Sequence, residues 1–169
     1  LLVHGLMQSS ASFLTSGYKS LAYLLIKNGF DVWLGDNRCG FEPEHVLYKE
    51  SSDEMWDWDL TEMARYDIPV MVNSLRAKKM YSGKVSILAH SQGTTQCVWL
   101  FSKQFEAEFN DIVDKCVLMA PAVYGGPLLN SKPFIKFMRL LPDPLYYVFF
   151  GKRAFMSILM TLRKLTYKM

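Results

Sequence analysis

Ser91 stands in Ala89-His90-Ser91-Gln92-Gly93, one residue away from Gly-x-Ser-x-Gly, the pentapeptide that sets a serine on a sharp strand-to-helix turn. A serine held there can attack an acyl carbon, provided a base takes its proton and N–H donors receive the oxyanion. The free first-turn amides of a following helix, together with its dipole, favour negative charge beside the hydroxyl. A second reading makes Ser91 an ordinary helix N-cap, since serine is among the preferred caps. The pentapeptide alone leaves both readings open.

Such a serine needs a strand before it and a helix after it. Lys84-Val85-Ser86-Ile87-Leu88-Ala89 is a short apolar, β-branched run that reads as a buried strand. Thr94/Thr95, Val98, Phe101/Ser102, Phe105 and Phe109 then recur at steps of three and four, which predicts a helix. Upstream, Leu1–Leu6 and Phe30–Gly35 read as strands, and Leu21, Leu24 and Leu25 mark a helix closed by Asn28-Gly29. Residues 41–58 look irregular. Asp59-Leu60-Thr61-Glu62 resembles a capping box, opening a helix that is expected to break near Tyr66. The helix is expected to restart with Asp67 as cap and Pro69 in its first turn. Asp114–Pro121 gives a further strand. Strands alternating with helices predict an α/β fold with a parallel sheet.

The 169 residues are 50% hydrophobic and 14% aromatic, enough for one sizeable core. The chain begins without Met in a strand-like run, which suggests a piece of a longer protein. No signal peptide is visible, and no 18-residue uncharged apolar span reads as a transmembrane helix. Cys39, Cys97 and Cys116 are far apart without metal-ligand spacing, and buried free thiol is the default for Cys97 and Cys116. With no Asn-x-Ser/Thr site, this leans away from a heavily processed secreted domain. No metal or organic cofactor is implied.

A net charge of +3 conceals an asymmetry. Residues 1–124 carry 11 Lys/Arg against 15 Asp/Glu, whereas residues 125–169 carry 8 Lys/Arg against Asp143 alone. The break at Tyr124-Gly125-Gly126-Pro127 is the expected boundary between two parts. Beyond it, Phe134, Phe137, Met138, Leu140 and Leu141 interleave with Lys132, Lys136 and Arg139. Phe155, Met156, Leu159, Met160 and Leu162 alternate likewise with Lys152, Arg153, Arg163 and Lys164. Helices of this pattern suit a lipid surface; the alternative is that they cover the core with their apolar side. The apolar interleaving lacks the stacking pattern of a nucleic-acid partner.

Leu-Leu-Val-His-Gly-Leu (1–6), Asp-Val-Trp-Leu-Gly-Asp-Asn-Arg (31–38), Trp-Asp-Trp-Asp-Leu-Thr-Glu-Met-Ala-Arg-Tyr-Asp-Ile-Pro (56–69) and Ala-His-Ser-Gln-Gly-Thr-Thr (89–95) occur in this order. Together they resemble the acid lipase family of α/β-hydrolases, which includes lysosomal and gastric lipases. Gln8–Phe13 and Asn37–Gly40 look nearest to the fungal steryl ester hydrolases. The resemblance implies a partial α/β-hydrolase fold, with residues 1–124 in the core and 125–169 beginning a helical cap. It makes Ser91 the nucleophile and the N–H groups of Leu6 and Gln92 the oxyanion hole. His4 and Gly5 would shape the Leu6 loop, and Gly93 completes the elbow. His90 is expected in a structural role, pointed away from Ser91. Asp36-Asn37-Arg38 and Trp56-Asp57-Trp58 would be loop scaffolding.

The chain departs from the family pattern in two ways. Ala89 replaces the first elbow glycine, one extra methyl that should be tolerated. More important, the family's triad runs Ser, then Asp/Glu, then His, and none of the histidines His4, His45 and His90 follows Ser91. The implied function is hydrolysis of steryl esters or triacylglycerols through an acyl-enzyme, with triad acid and base outside this chain. The isolated 169 residues are therefore expected to be inactive. Acyl transfer on the same elbow and a non-catalytic lipid-binding protein are the competing readings. The implied setting is a membrane or lipid-droplet surface, at the endoplasmic reticulum or droplet, with lysosome or secretion as the alternative. Oligomeric state is left open.

Overall fold

Strand β3 (Val85–His90) alternates as its sequence predicts, with Val85, Ile87 and Ala89 buried on one face. The computed structural model describes residues 1–38, 44–78, 83–102, 109, 111–142 and 144–145. Phe105 and the amphipathic run at 152–164 lie outside the described residues, as does Cys39. Strand β1 (Leu2–Val3) pairs in parallel with β3, Leu2 opposite Leu88 and Val3 opposite Ala89. On its other side β1 pairs with β2 (Leu34–Gly35), and β4 (Val113–Met119) flanks β3. The sheet is parallel throughout, in the order β2-β1-β3-β4.

Strands β1 and β2 are shorter than their apolar runs. Phe30 is exposed, and the chain reaches β1 only where the Leu2 amide donates to the Trp33 carbonyl at 2.8 Å. Ser20 caps helix α1 (Leu21–Lys27) through a bond from the Tyr23 amide, and Gly29, at φ 85°, lets Phe30 N–H reach back to Leu25.

The period of two along β1 and β3 sorts residues to opposite faces. Val3, Ile87 and Ala89 pack with Ile68, Val72 and Leu75 of α3 (Ile68–Ala77) and Cys97 and Leu100 of α4 (Gln92–Leu100). Leu2 and Leu88 face the other way, toward Phe13 and the α1 residues Ala22 and Leu25. Helices thus cover both faces of the sheet. Each fully buried aliphatic side chain contributes about 1.5–3 kcal/mol.

Asp59 and Glu62 form a true capping box at α2 (Leu60–Glu62): the Asp59 carboxylate accepts from the Thr61 amide, and Glu62 accepts from the Asp59 amide at 2.9 Å. The expected break at Tyr66 does not occur. Met63–Asp67 forms a π-helical turn that runs directly into α3, with Asp67 itself helical. The wider turn absorbs the amide that Pro69 lacks, so the helix need not restart. The Thr61 amide and hydroxyl hold the Asp59 carboxyl below the usual carboxylate range. Asp59→Ala should lower stability by about 1 kcal/mol in chemical denaturation. A depressed pKa stabilises above the unfolded value, so the difference from wild type should shrink as pH falls through the carboxyl titration.

The chain divides into two units, one of Leu1–Pro43 with Trp58–Val123 and one of Glu44–Asp57 with Tyr124–Met169. The first holds the sheet. In the second, α5 (Pro127–Asn130) and α6 (Pro133–Leu140) follow one another, and α6 exposes Phe137 and Leu140.

Candidate active site

The connections from β1 and β3 leave in opposite directions, one toward β2 and the other toward β4. Adjacent parallel strands that part in this way open a crevice beyond their carboxyl ends. The residues delivered there are His4-Gly5-Leu6 after β1 and Ser91 after β3.

Ser91 has φ 51° and ψ −117°, a region that costs an L-residue roughly 1–3 kcal/mol. The neighbours hold it there. Its amide donates to the Met119 carbonyl at 3.0 Å, and its own carbonyl accepts from the Thr94 amide at 2.9 Å and from the Thr94 hydroxyl. An N-cap has extended backbone and a side chain bonded to the first turn. Ser91 has neither, so the capping alternative fails and its hydroxyl is not used to close the helix.

Three small residues make the turn possible. A Cβ on Gly93 would lie 2.8 Å from the His4 carbonyl oxygen and 3.1 Å from that of Val3, so α4 begins directly against the β1 backbone. A Cβ on Gly5 would lie 2.8 Å from Ser91 Cβ and 3.2 Å from the His90 carbonyl oxygen. Ala89 is fully buried, with its methyl part of the α3–α4 side of the core.

Beyond Gly5 the chain turns back, with Gln8 N–H donating to the Gly5 carbonyl at 3.3 Å and Met7 at φ 56°. Buried His4 fixes this turn from beneath. Its Nε2 accepts from the Asn37 amide at 3.1 Å, which leaves Nδ1 to donate to the Gly5 carbonyl at 2.8 Å. Asn37 also donates to the His4 carbonyl, and the neighbouring Asp36 carboxylate receives the Ser10 amide and hydroxyl at 2.7 and 2.8 Å. A trans peptide is planar, so gripping the Gly5 carbonyl aims the Leu6 N–H the opposite way. The Gln92 N–H is the first amide of α4, and helical geometry gives it no acceptor within the helix.

The second signature segment is tied in through Arg38. Its Nε and Nη2 reach Asp67 Oδ1 at 2.8 and 2.7 Å, its amide reaches Oδ2 at 3.1 Å, and the guanidinium lies over Trp58 and Tyr66. On the opposite flank, the Thr94 hydroxyl accepts from the Ala122 amide at 3.0 Å and the Thr95 hydroxyl donates to the Ala122 carbonyl at 2.9 Å. Between Met119 and that clamp, Ala120 takes a left-handed φ of 47° immediately before Pro121.

No histidine is bonded to the Ser91 hydroxyl among the described residues. His4 is committed to Asn37 and Gly5, His45 Nδ1 accepts from the Leu47 and Tyr48 amides, and His90 Nδ1 faces Gln8 Oε1 at 3.0 Å. Cys97 is no rival nucleophile: a hydrogen bond with the free Cys116 thiol and burial push its own thiol far up. Among the described residues no three metal-ligating side chains converge. Gln8, bonded both to His90 and to the turn, was not singled out by motif reading; only its place in the family-like loop hinted at it.

Residues 1–155 match the family model for the alpha/beta hydrolase fold. The chain belongs to the α/β-hydrolase family. It is 44% identical to sterol esterase 2 of Saccharomyces cerevisiae, an alignment covering 98% of this chain and 31% of that protein. It is 32% identical to the gastric triacylglycerol lipase of Mus musculus, over 92% of this chain and 38% of the lipase. Lysosomal acid lipase/cholesteryl ester hydrolase of Macaca fascicularis is 33% identical, again over 92% and 38%. The acid-lipase resemblance read from the motifs is borne out by these relatives. The chain spans about a third of the length of the curated relatives it matches.

Proposed function

We propose that this chain carries the nucleophile and oxyanion hole of a lipid ester hydrolase acting on steryl esters first and triacylglycerols second. The observation that carries the reading is Ser91 at φ 51°, its hydroxyl not used as a cap, packed against the Gly5 turn. Similarity to a sterol esterase and to triacylglycerol lipases supports the substrate class.

Ser91 Oγ attacks the ester carbonyl carbon as a general base removes its proton. The carbonyl oxygen becomes an oxyanion that accepts from Gln92 N–H and Leu6 N–H, donors set in place before reaction. Collapse of the intermediate expels the sterol or glyceride alkoxide, which takes the proton back and leaves as alcohol. Water then attacks the acyl-Ser91 ester by the same route and releases the fatty acid. The mechanism calls on no metal or organic cofactor. The base and its acid partner belong, in this proposal, to the part of the protein that corresponds to the remaining length of the relatives.

Residues 1–124 are read as hydrolase core and 125–169 as the beginning of a helical cap. Exposed Phe137 and Leu140 on α6, alongside Lys136 and Arg139, suit a membrane or lipid-droplet surface. Among the described residues no helix is long and apolar enough to cross a membrane. The endoplasmic reticulum or a lipid droplet is the favoured setting, with lysosome or secretion as the alternative.

A fluorophosphonate probe tests the assignment. In the full-length protein it should modify the tryptic peptide containing Ser91, whereas the 169-residue chain alone should hydrolyse no steryl or glyceryl ester appreciably. Modification of another serine in the full-length protein would sink the proposal.

A further inference from the structure

One side chain bridges the turn after β1 and the residue before the elbow serine. Gln8 Oε1 accepts from the Gly5 amide at 2.9 Å and lies 3.0 Å from His90 Nδ1. The Gly5 amide can only donate, so the atom facing it is the carbonyl oxygen of Gln8, and His90 Nδ1 must then be the protonated nitrogen. A single carbonyl thus holds two residues that are far apart in sequence. Gln8 also grips the turn a second time through its own amide, 3.3 Å from the Gly5 carbonyl.

These contacts fix two successive peptide planes. The His4–Gly5 plane is held at its N–H by Gln8 Oε1, and the Gly5–Leu6 plane at its carbonyl by His4 Nδ1 and Gln8 N–H. Because each plane is rigid, the direction of the Leu6 N–H follows. His90, at the other end of the bridge, precedes Ser91 directly. The Gln8 side chain thus spans from the turn that carries Leu6 to the residue that precedes Ser91, and it acts on that turn together with His4.

We propose that Gln8 is a positioning residue for ester hydrolysis, holding the Leu6 arm of the oxyanion hole in register with the nucleophile. This role rests on the assignment of Ser91, Leu6 and Gln92 given above. The choice of glutamine has a reason in charge. A glutamate would satisfy both donors, but ionised it would set a negative charge close to the place where the substrate oxygen becomes negative. A neutral acceptor positions the donor without opposing the charge it stabilises.

The test uses the full-length protein with a soluble short-chain ester. In Gln8→Met, which removes the acceptor at similar length, kcat should fall ~10- to 100-fold with little change in KM, because a displaced oxyanion donor weakens the transition state more than substrate binding. In Gln8→Glu, the rate relative to wild type should be near one at acid pH and decline as pH rises through the carboxyl titration. A merely structural link would give no such pH-dependent ratio. Unchanged kcat in Gln8→Met, or a loss confined to KM, overturns the role. If Gln8→Met does not fold, the Gln8→Glu profile decides: a flat ratio overturns the role and a declining one supports it. Ser91→Ala is run alongside. Activity that survives it overturns the nucleophile assignment, and the Gln8 role with it; activity lost there while both Gln8 variants match wild type overturns the Gln8 role alone.

Discussion

Ser91→Ala is expected to lower kcat for ester hydrolysis by on the order of 10⁵- to 10⁶-fold in the full-length protein, leaving the fold intact. On the proposed mechanism the attacking oxygen is removed outright, and the remaining oxyanion donors would support only slow attack by water. Stability should hardly move. The Ser91 side chain makes no bond to the α4 amides, and its backbone is held by Met119 and Thr94 whatever side chain it carries. This separates the two readings of the residue sharply. A capping serine would cost about 1 kcal/mol on truncation and nothing in catalysis; a nucleophile costs the reverse. Activity with a long-chain steryl ester and the urea midpoint, measured on the same preparation, check both halves. Residual hydrolysis within tenfold of wild type would refute the role of Ser91.

Gly93→Ala should damage both stability and rate. Taken as a helix position alone, the exchange would gain up to about 1 kcal/mol in propensity. The added methyl, however, meets the backbone carbonyl oxygens of His4 and Val3, at 2.8 and 3.1 Å, and backbone cannot swing aside as a flexible side chain can. Overpacking of this kind costs roughly 1–3 kcal/mol, so a net loss of about 1–2 kcal/mol is expected. Relief requires α4 to move away from β1, and the helix carries Ser91 and Gln92 with it. A shift of that kind between nucleophile and Leu6 turn should lower kcat about 100-fold. Thermal unfolding and steady-state kinetics measure the two losses. A Gly93→Ala protein more stable than wild type would show that the strand and helix are not in contact as described.

Features written in local periods were legible in the sequence. The alternation of Val85, Ile87 and Ala89 and the Asp59–Glu62 box depend on neighbours within a few residues, and the structure reproduces them. The spacing read after Ser91 is met only in part: Thr94 and Thr95 are buried, but Val98 is exposed and Cys97 and Leu100 carry the apolar side of α4, which ends at Leu100. The parallel sheet followed from strands alternating with helices. What depends on distant partners was less legible. No local rule tells whether Ser91 caps a helix, because its φ is imposed by contacts from Met119 and by the close approach of β1. The helix expected to break at Tyr66 continues because the chain can widen one turn, and Asp67, read as its cap, instead meets Arg38. Strands β1 and β2 are short because pairing requires a neighbour in register, which an apolar run cannot announce. Gln8 is a polar residue in a polar loop by composition; only the fold brings its carbonyl between Gly5 and His90.

The Thr94–Thr95 grip on Ala122 has a mechanical consequence. Both backbone polar groups of Ala122 are fastened to the helix that begins at the elbow, one residue before the first unit ends at Val123. Tension or bending in the chain from Tyr124 onward is therefore grounded in α4's first turn before it can reach Met119, whose carbonyl holds the Ser91 amide. The tether works as a strain relief, like the clamp that keeps a pulled cable from loosening its contact. A displacement of the chain beyond Ala122 would therefore leave the Met119 carbonyl on the Ser91 amide.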